Sequence, residues 1–226
     1  MSGLLLDWRR RWHLRRCPVG PLRDYYARPF PRPKTDYRDV EYVAVDLETT
    51  GLDAKHDQIL SFGWVVLRGP KIELATARHQ LVRVHGAIPA ATAIIHQITD
   101  DQAATGQETA AALALFLADL AGRVMIAHHA RIERGFIGMA CRRLYGRGLL
   151  VQAIDTMALA QRTLERRQVA MKPGDLRLHA LAERYHLPRY AAHNALADAL
   201  SSAELFLAQA AHHDDGDGLP LVDFLS

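Results

Sequence analysis

Asp46 and Glu48 stand two residues apart in Tyr42-Val43-Ala44-Val45-Asp46-Leu47-Glu48, a run that otherwise reads as a buried β-strand. Alternation along a strand sends both carboxylates to one face and Val43, Val45 and Leu47 to the other. Two acids side by side there repel each other and resist desolvation. A shared proton relieves this, and so does a divalent cation held by oxygen ligands. A strand end that has reached solvent relieves it with no chemistry at all. Thr49-Thr50-Gly51-Leu52 follows directly. Hydroxyls on a glycine turn let the backbone approach a sugar or phosphate closely, and an ordinary Thr-Gly turn is the plain alternative.

Two further segments carry candidate chemistry. In His193-Asn194-Ala195-Leu196-Ala197-Asp198-Ala199 the histidine belongs to the loop before a helix. Asn194 is the predicted N-cap, and Asp198 sits in the second turn facing inward. The alternative is a surface histidine and a solvated aspartate. In Ile126-Ala127-His128-His129-Ala130-Arg131-Ile132-Glu133-Arg134-Gly135-Phe136 a short strand feeds a helix. Ile132 and Phe136 face the core, and Glu133 projects beside them near the carboxyl end of the strand, where active sites of open α/β sheets gather. The alternative pairs Glu133 with Arg131 or Arg134 in solvent.

The elements that must position these residues follow from periodicity and turn signals. Strands are predicted at Tyr42–Glu48, Ile59–Leu67 and Ile72–Val84, forming an antiparallel meander, then at Val124–Ala127 and Leu149–Ile154. Helices are predicted at Gln107–Leu120, Arg131–Tyr145, Asp155–Leu164, Leu176–Tyr185 and Asn194–Ala211. Three antiparallel strands followed by two reached through helices make a mixed five-stranded α/β sheet flanked by helices. Asp155 reads as a helix cap before it reads as a ligand. Arg162, Arg166, Arg167 and Lys172 offer phosphate contacts or simply a solvated basic loop.

Charge divides the chain. Of 226 residues, the first 40 carry ten Lys and Arg against four Asp and Glu, a net +6, while the rest carry −3. Residues 1–40 therefore read as a basic arm, 41–211 as the globular domain and 212–226 as a flexible tail. Within the arm, Leu4, Leu5, Trp8 and Trp12 recur at helical spacing among Arg9, Arg10, Arg11, Arg15 and Arg16, predicting a short basic amphipathic helix. Pro18, Pro21, Pro29, Pro31 and Pro33 predict an extended tether after it. Such an arm suits nucleic acid, a protein partner, or packing of Trp8 and Trp12 on its own domain. No apolar run approaches the ~20 residues that span a bilayer, and Leu4-Leu5-Leu6 is too short for a signal peptide. Cys17 and Cys141 have no metal spacing. The expectation is a reduced, cytoplasmic protein with no membrane partner.

The three acidic segments, in this order and separation, resemble the DEDDh exonucleases. These have the RNase H-like fold and include the proofreading subunits of bacterial replicative polymerases. The resemblance covers roughly residues 41–210 and rests on Asp46-Leu47-Glu48-Thr49-Thr50-Gly51, on His193 through Asp198, and on Leu181-Ala182-Glu183-Arg184-Tyr185-His186-Leu187-Pro188 leading to it. Ile95-His96-Gln97-Ile98-Thr99 resembles the segment whose histidine lines the substrate site. The middle motif departs from the family: His129 stands where asparagine is usual, and Glu133 where aspartate is usual.

The resemblance implies two divalent ions, Mg²⁺ or Mn²⁺, held by Asp46, Glu48, Glu133 and Asp198, whose charges sum to −4 when ionised. It implies His193 as the general base, a role suited to a side chain whose ordinary pKa is ~6.5. Thr49, Thr50, Gly51, Leu52, His96 and His129 are the implied substrate contacts. The expected activity is hydrolysis from a free 3′ end of single-stranded or frayed nucleic acid, DNA in preference to RNA, releasing nucleoside 5′-monophosphates. A polymerase or another replication or repair protein is the expected partner. The other readings are an RNA or short-oligonucleotide exonuclease and a non-catalytic nucleic-acid-binding module.

Overall fold

The computed structural model describes residues 3–84, 86, 88–89, 98–190 and 193–226. His96, Ile95 and Gln97 lie outside the described residues. The sheet comprises β1 (Glu41–Thr49), β2 (Ile59–Arg68), β3 (Lys71–Leu81), β4 (Val124–Ala127) and β5 (Ala153–Asp155). Its order is β3-β2-β1-β4-β5. The β1–β2 and β2–β3 pairs are antiparallel, while β1–β4 and β4–β5 are parallel. This is the predicted mixed sheet, with β1 at its centre.

Period-two alternation splits the core into two layers. Val43, Val45 and Leu47 of β1 face α4 (Thr109–Leu120) and α5 (Arg131–Tyr145), with Phe116, Leu117, Phe136 and Ile137 in the same cluster. Tyr42 and Ala44 face the other way, toward Ala203, Phe206 and Ala210 of α8 (Ala195–His213). Asp46 and Glu48 continue that second face beyond the apolar pair, so the strand delivers both acids to the α8 side. The short α3 (Asp100–Ala104) carries a Thr99–Gln102 capping box. On the α8 side also lie α6 (Thr156–Arg166) and α7 (Leu178–Arg184).

Gly63 sets how closely α8 approaches. It is the register partner of Asp46 on β2. A Cβ built at Gly63 would lie 2.0 Å from the Ala195 carbonyl carbon and 2.1 Å from the Leu196 nitrogen. Only a residue without a side chain lets the first turn of α8 rest on the strand.

Four expectations differ from the structure. The helix at the N-terminus exists as α1 (Gly3–Arg16), but its Leu–Trp face points outward: Leu4 is 86% and Trp8 63% exposed. It is Leu6 and Arg10 that are buried, and Leu14 packs on the core. The proline-rich segment is not extended throughout, because Pro21 opens α2 (Pro21–Ala27) at a position where its missing N–H is harmless. Leu22, Tyr25 and Tyr26 of α2 enter the main core. The fifth strand is shorter than predicted: the Leu150 N–H donates to the Tyr26 hydroxyl, and the Leu150 carbonyl accepts from the Tyr25 hydroxyl, so α2 rather than the sheet takes those groups. The C-terminal segment is tied down, with Leu221 and Phe224 buried and Leu225 bridged to Ile154.

Candidate active site

Asp46, Glu48 and Asp198 each offer a carboxylate oxygen, and these oxygens all lie within 4.8 Å of one another. β1 supplies the first two. The third comes from the opening turn of α8, where Asn194 is the N-cap and accepts from the Ala197 N–H at 3.1 Å. The capped loop carries His193 in a left-handed conformation, φ 64°. Its N–H donates to Asp198 Oδ2 at 2.9 Å. His193 is exposed at this loop, and Asp198 is partly buried. The predicted loop, cap and inward aspartate are therefore present, with Asp198 one turn earlier than expected.

Glu133 arrives from the other layer. It lies in the first turn of α5, is 3% exposed, and its Oε2 has no hydrogen-bond partner. It makes no ion pair with Arg131 or Arg134 among the described residues. Such a carboxylate is costly unless it is protonated or a cation joins it. Burial is what raises its pKa most, to about 8, with the charge of Asp155 adding to the rise. Burial likewise lifts Asp46 well above the usual carboxylate range, helped by the charges of Glu133, Asp198 and Glu48. Glu48 is pushed up to about 7 by burial and by Asp198. Asp198 is also raised by burial, against the opposing pull of the His193 N–H. Four acids sharing one region, each with its charged form disfavoured, match the donor set of hard divalent cations.

The loop after β1 spends its hydroxyls internally. Thr49 Oγ1 donates to the Gly51 carbonyl at 2.6 Å. Thr50 Oγ1 donates to Asp57 Oδ1 at 3.2 Å and accepts from the Gln58 N–H at 3.0 Å. Gly51 lies against the Asp57 carboxylate, where a Cβ would come within 2.4 Å of Oδ2. Leu52, at the tip, is 82% exposed.

Beside the cluster, Asp155 is the predicted helix cap, while the role of His128 was not foreseen from the sequence. His128 bridges three segments: Nδ1 meets Thr156 Oγ1 at 2.8 Å, and Nε2 meets the Leu176 carbonyl at 2.9 Å. Burial lowers its pKa to about 4, so it is a neutral strut. Asp155 caps α6 through the Met157 and Ala158 N–H groups, and the same Oδ1 accepts from the His129 N–H at 3.1 Å. That bond holds His129 at φ 70°. The only sequence signal for these contacts is a His-His pair and an aspartate at consecutive strand ends, which does not say what they touch.

A cleft of about 1310 Å³ opens from the cluster. Asp46, His129, His193 and Asp198 line one end, and Arg177, His179, Glu183, His186 and Tyr190 extend it. Arg162 and Arg166 instead line a separate 380 Å³ cavity with His213 and Asp223.

Comparison with known proteins identifies a family. The RNase_T family, described as Exonuclease, matches residues 43–206. The DNA polymerase III subunit epsilon of Treponema pallidum is 31% identical over 188 residues, covering 80% of this chain and 82% of that protein. The PolC-type DNA polymerase III of Thermotoga maritima is 29% identical over 171 residues, 76% of this chain. The chain spans only 12% of the length of that polymerase. Among solved structures, the nuclease domain of 3′hExo, a DEDDh family member bound to rAMP, superposes with a TM-score of 0.65 at 14% identity. That match covers 82% of this chain and 98% of that one. With a family match across most of its length and a relative 31% identical over 188 residues, this chain belongs to the RNase_T exonuclease family.

Proposed function

We propose that the chain is a divalent-metal-dependent 3′→5′ exonuclease acting on single-stranded or frayed ends, DNA in preference to RNA. The observation that carries this reading is the cluster itself. Three carboxylates converge within 4.8 Å, and the buried Glu133, whose charge is felt at Asp46, has an unpartnered oxygen. None of the four makes an ion pair among the described residues. A site that holds unpaired acids together without a basic partner fits Mg²⁺ or Mn²⁺. Asp46, Glu48 and Asp198 would hold one such ion and Asp46 with Glu133 a second, supplying charge neutralisation at the scissile phosphate and a more acidic attacking water.

The chain's own groups do the rest. His193 is the proposed base, taking the proton from the water as it attacks. Its backbone is tied to Asp198, so base and ligand move as one unit. Thr49, Thr50 and Gly51 shape the loop whose exposed Leu52 supports the terminal nucleoside, and His129 borders the cleft beside it. Arg177 and Tyr190 offer a charge and a ring to the strand that follows.

The DNA preference draws on similarity to DNA polymerase III subunits, and so does a replicative polymerase or a repair protein as partner. A solved neighbour bound to rAMP keeps RNA as the second reading. Single-stranded DNA and RNA carrying a 5′ label test all of this together. Wild type should shorten the DNA stepwise from its 3′ end with Mg²⁺ or Mn²⁺, stop with EDTA, and process RNA more slowly. Faster RNA shortening would reverse the preference. Binding without hydrolysis in every metal would turn the reading to a non-catalytic module.

A further inference from the structure

The outward face of α1 is largely exposed among the described residues. Leu4 is 86%, Leu5 46%, Trp8 63% and Trp12 37% exposed, and all four belong to one helix. At about 100° per residue they fall within a sector roughly 100° wide. Leu5, Trp8 and Trp12 are spaced three and then four residues apart, the seam spacing of two packed helices. The opposite side of α1 is already in use, through Leu6, Leu14 and Arg10. Arg10 is buried, paired with Asp7 at 2.8 Å and donating to the Tyr26 carbonyl. The helix is therefore fixed to the domain by one side and presents the other. Contiguous exposed Leu and Trp on a folded surface mark interaction sites.

The margins of the strip define what fits it. Arg16 lies along one side and Arg11 along the other, with Arg15 between Leu4 and Trp8, all exposed. Arg16 lies over the Trp12 ring at 4.4 Å, and Arg147 lies at 5.2 Å, so the indole is held in place by cations. The one acid of α1, Asp7, is engaged by Arg10 and Arg11. A second copy of this chain would bring the same arginines and be repelled. Nucleic acid would satisfy the arginines and stack on the tryptophans but leave Leu4 and Leu5 without an apolar partner. Glu133 opens α5 and Arg147 lies just past its end, which places the strip roughly 20 Å from the cluster.

We propose that this face is a docking strip for an amphipathic helix of another protein, one whose apolar seam is bordered by Asp and Glu. An apolar seam meets Leu5, Trp8 and Trp12, and acidic borders meet the arginines. The strip is short, so the contact belongs to the small, transient class of interfaces. No residue of the acidic cluster takes part, so the proposal stands or falls independently of the exonuclease reading.

The test uses the full chain and a synthetic three-heptad helical peptide with Leu along its seam and Glu on both borders. Binding should be saturable, should shift the tryptophan emission to the blue, and should weaken as salt screens the charges. Leu5→Glu with Trp8→Glu should abolish binding while leaving the melting temperature and exonuclease kinetics unchanged. Reversing Arg15 and Arg16 to Glu should transfer binding to the same peptide with Lys borders. No binding at millimolar peptide overturns the proposal, as does a charge reversal that leaves the preference unmoved. Vesicles of phosphatidylglycerol and phosphatidylcholine, and a single-stranded oligonucleotide, run alongside. Protection of the tryptophans by either of these and not by the peptide replaces the helix with that surface.

Discussion

Two buried charges on different helices are treated in opposite ways. On α1, Arg10 is 6% exposed and fully engaged, by Asp7 and by the Tyr26 carbonyl. In the first turn of α5, Glu133 is 3% exposed with one oxygen unsatisfied, and it faces further acids instead of a base. The first arrangement satisfies a desolvated charge and fastens the arm. The second leaves a buried carboxyl whose charged form is disfavoured, a group that either a proton or a cation completes. The satisfied charge anchors an element, and the unsatisfied one sits beside the acidic cluster.

The sharpest way to break this contrast is to remove the acids. Asp46→Ala or Asp198→Asn should lower kcat by orders of magnitude on a labelled oligonucleotide, with the fold intact by circular dichroism. Wild-type turnover in either variant would remove the cluster from catalysis. His193→Ala should cost roughly 10²–10⁴-fold in rate, the range for a general base. Rates within a few-fold of wild type would assign the proton transfer elsewhere.

Substituting the two buried charges then separates their roles directly. Arg10→Ala should destabilise the protein by roughly 1.5–3 kcal/mol, because it removes charged hydrogen bonds and strands a buried carbonyl. Glu133→Gln should do the reverse in metal-free protein, raising the melting temperature at pH 8 while weakening metal affinity and activity. A metal-free Glu133→Gln protein that melts lower than wild type would mean that the buried carboxylate is stabilising as it stands.

Gly63→Ala tests whether the closeness of α8 matters. Overpacking of this kind costs about 1–3 kcal/mol, and here it pushes Asp198 away from Asp46. The expected signature is weaker metal binding together with a lower melting temperature. A crystal structure showing α8 undisplaced would refute it.

The mildest test is pH. Asp46, Glu48, Glu133 and Asp198 all have folded pKa values above their unfolded ones, so the folded chain holds more protons in between. Metal-free stability should therefore fall as pH rises from about 4.5 to 8, the window between the unfolded carboxylate values and the folded ones. Mg²⁺ or Mn²⁺ should recover it at the upper end. A flat melting profile over that window would remove the unfavourable coupling among the acids.

The acids on β1 were legible because a strand has a period of two and tolerates no ambiguity about which side each residue takes. The His193–Asn194–Asp198 unit was legible because N-capping chemistry is local. Glu133 was visible as a position but not as a buried one, since only the packing of Phe136 and Ile137 against the sheet carries it out of solvent. The first helix of the arm was legible as an element, but the face it buries was not. Helical spacing found a Leu–Trp face on α1, but spacing cannot say whether the domain covers that face or the one bearing Leu6 and Leu14. Prolines hid α2, because Pro21 sits at the single helical position that accepts it. The close approach at Gly63 leaves no mark beyond a glycine in a strand.

The last residues of the chain have a further consequence. The Ser226 N–H and hydroxyl both reach the Ala153 carbonyl, at 3.0 and 3.1 Å, and Leu225 bridges Ile154. They thereby take one carbonyl that β5 would otherwise turn outward at the border of the sheet. Open groups of that kind are a template on which a stray strand from another molecule can pair. A short antiparallel bridge laid along such an edge leaves less of it open to that pairing.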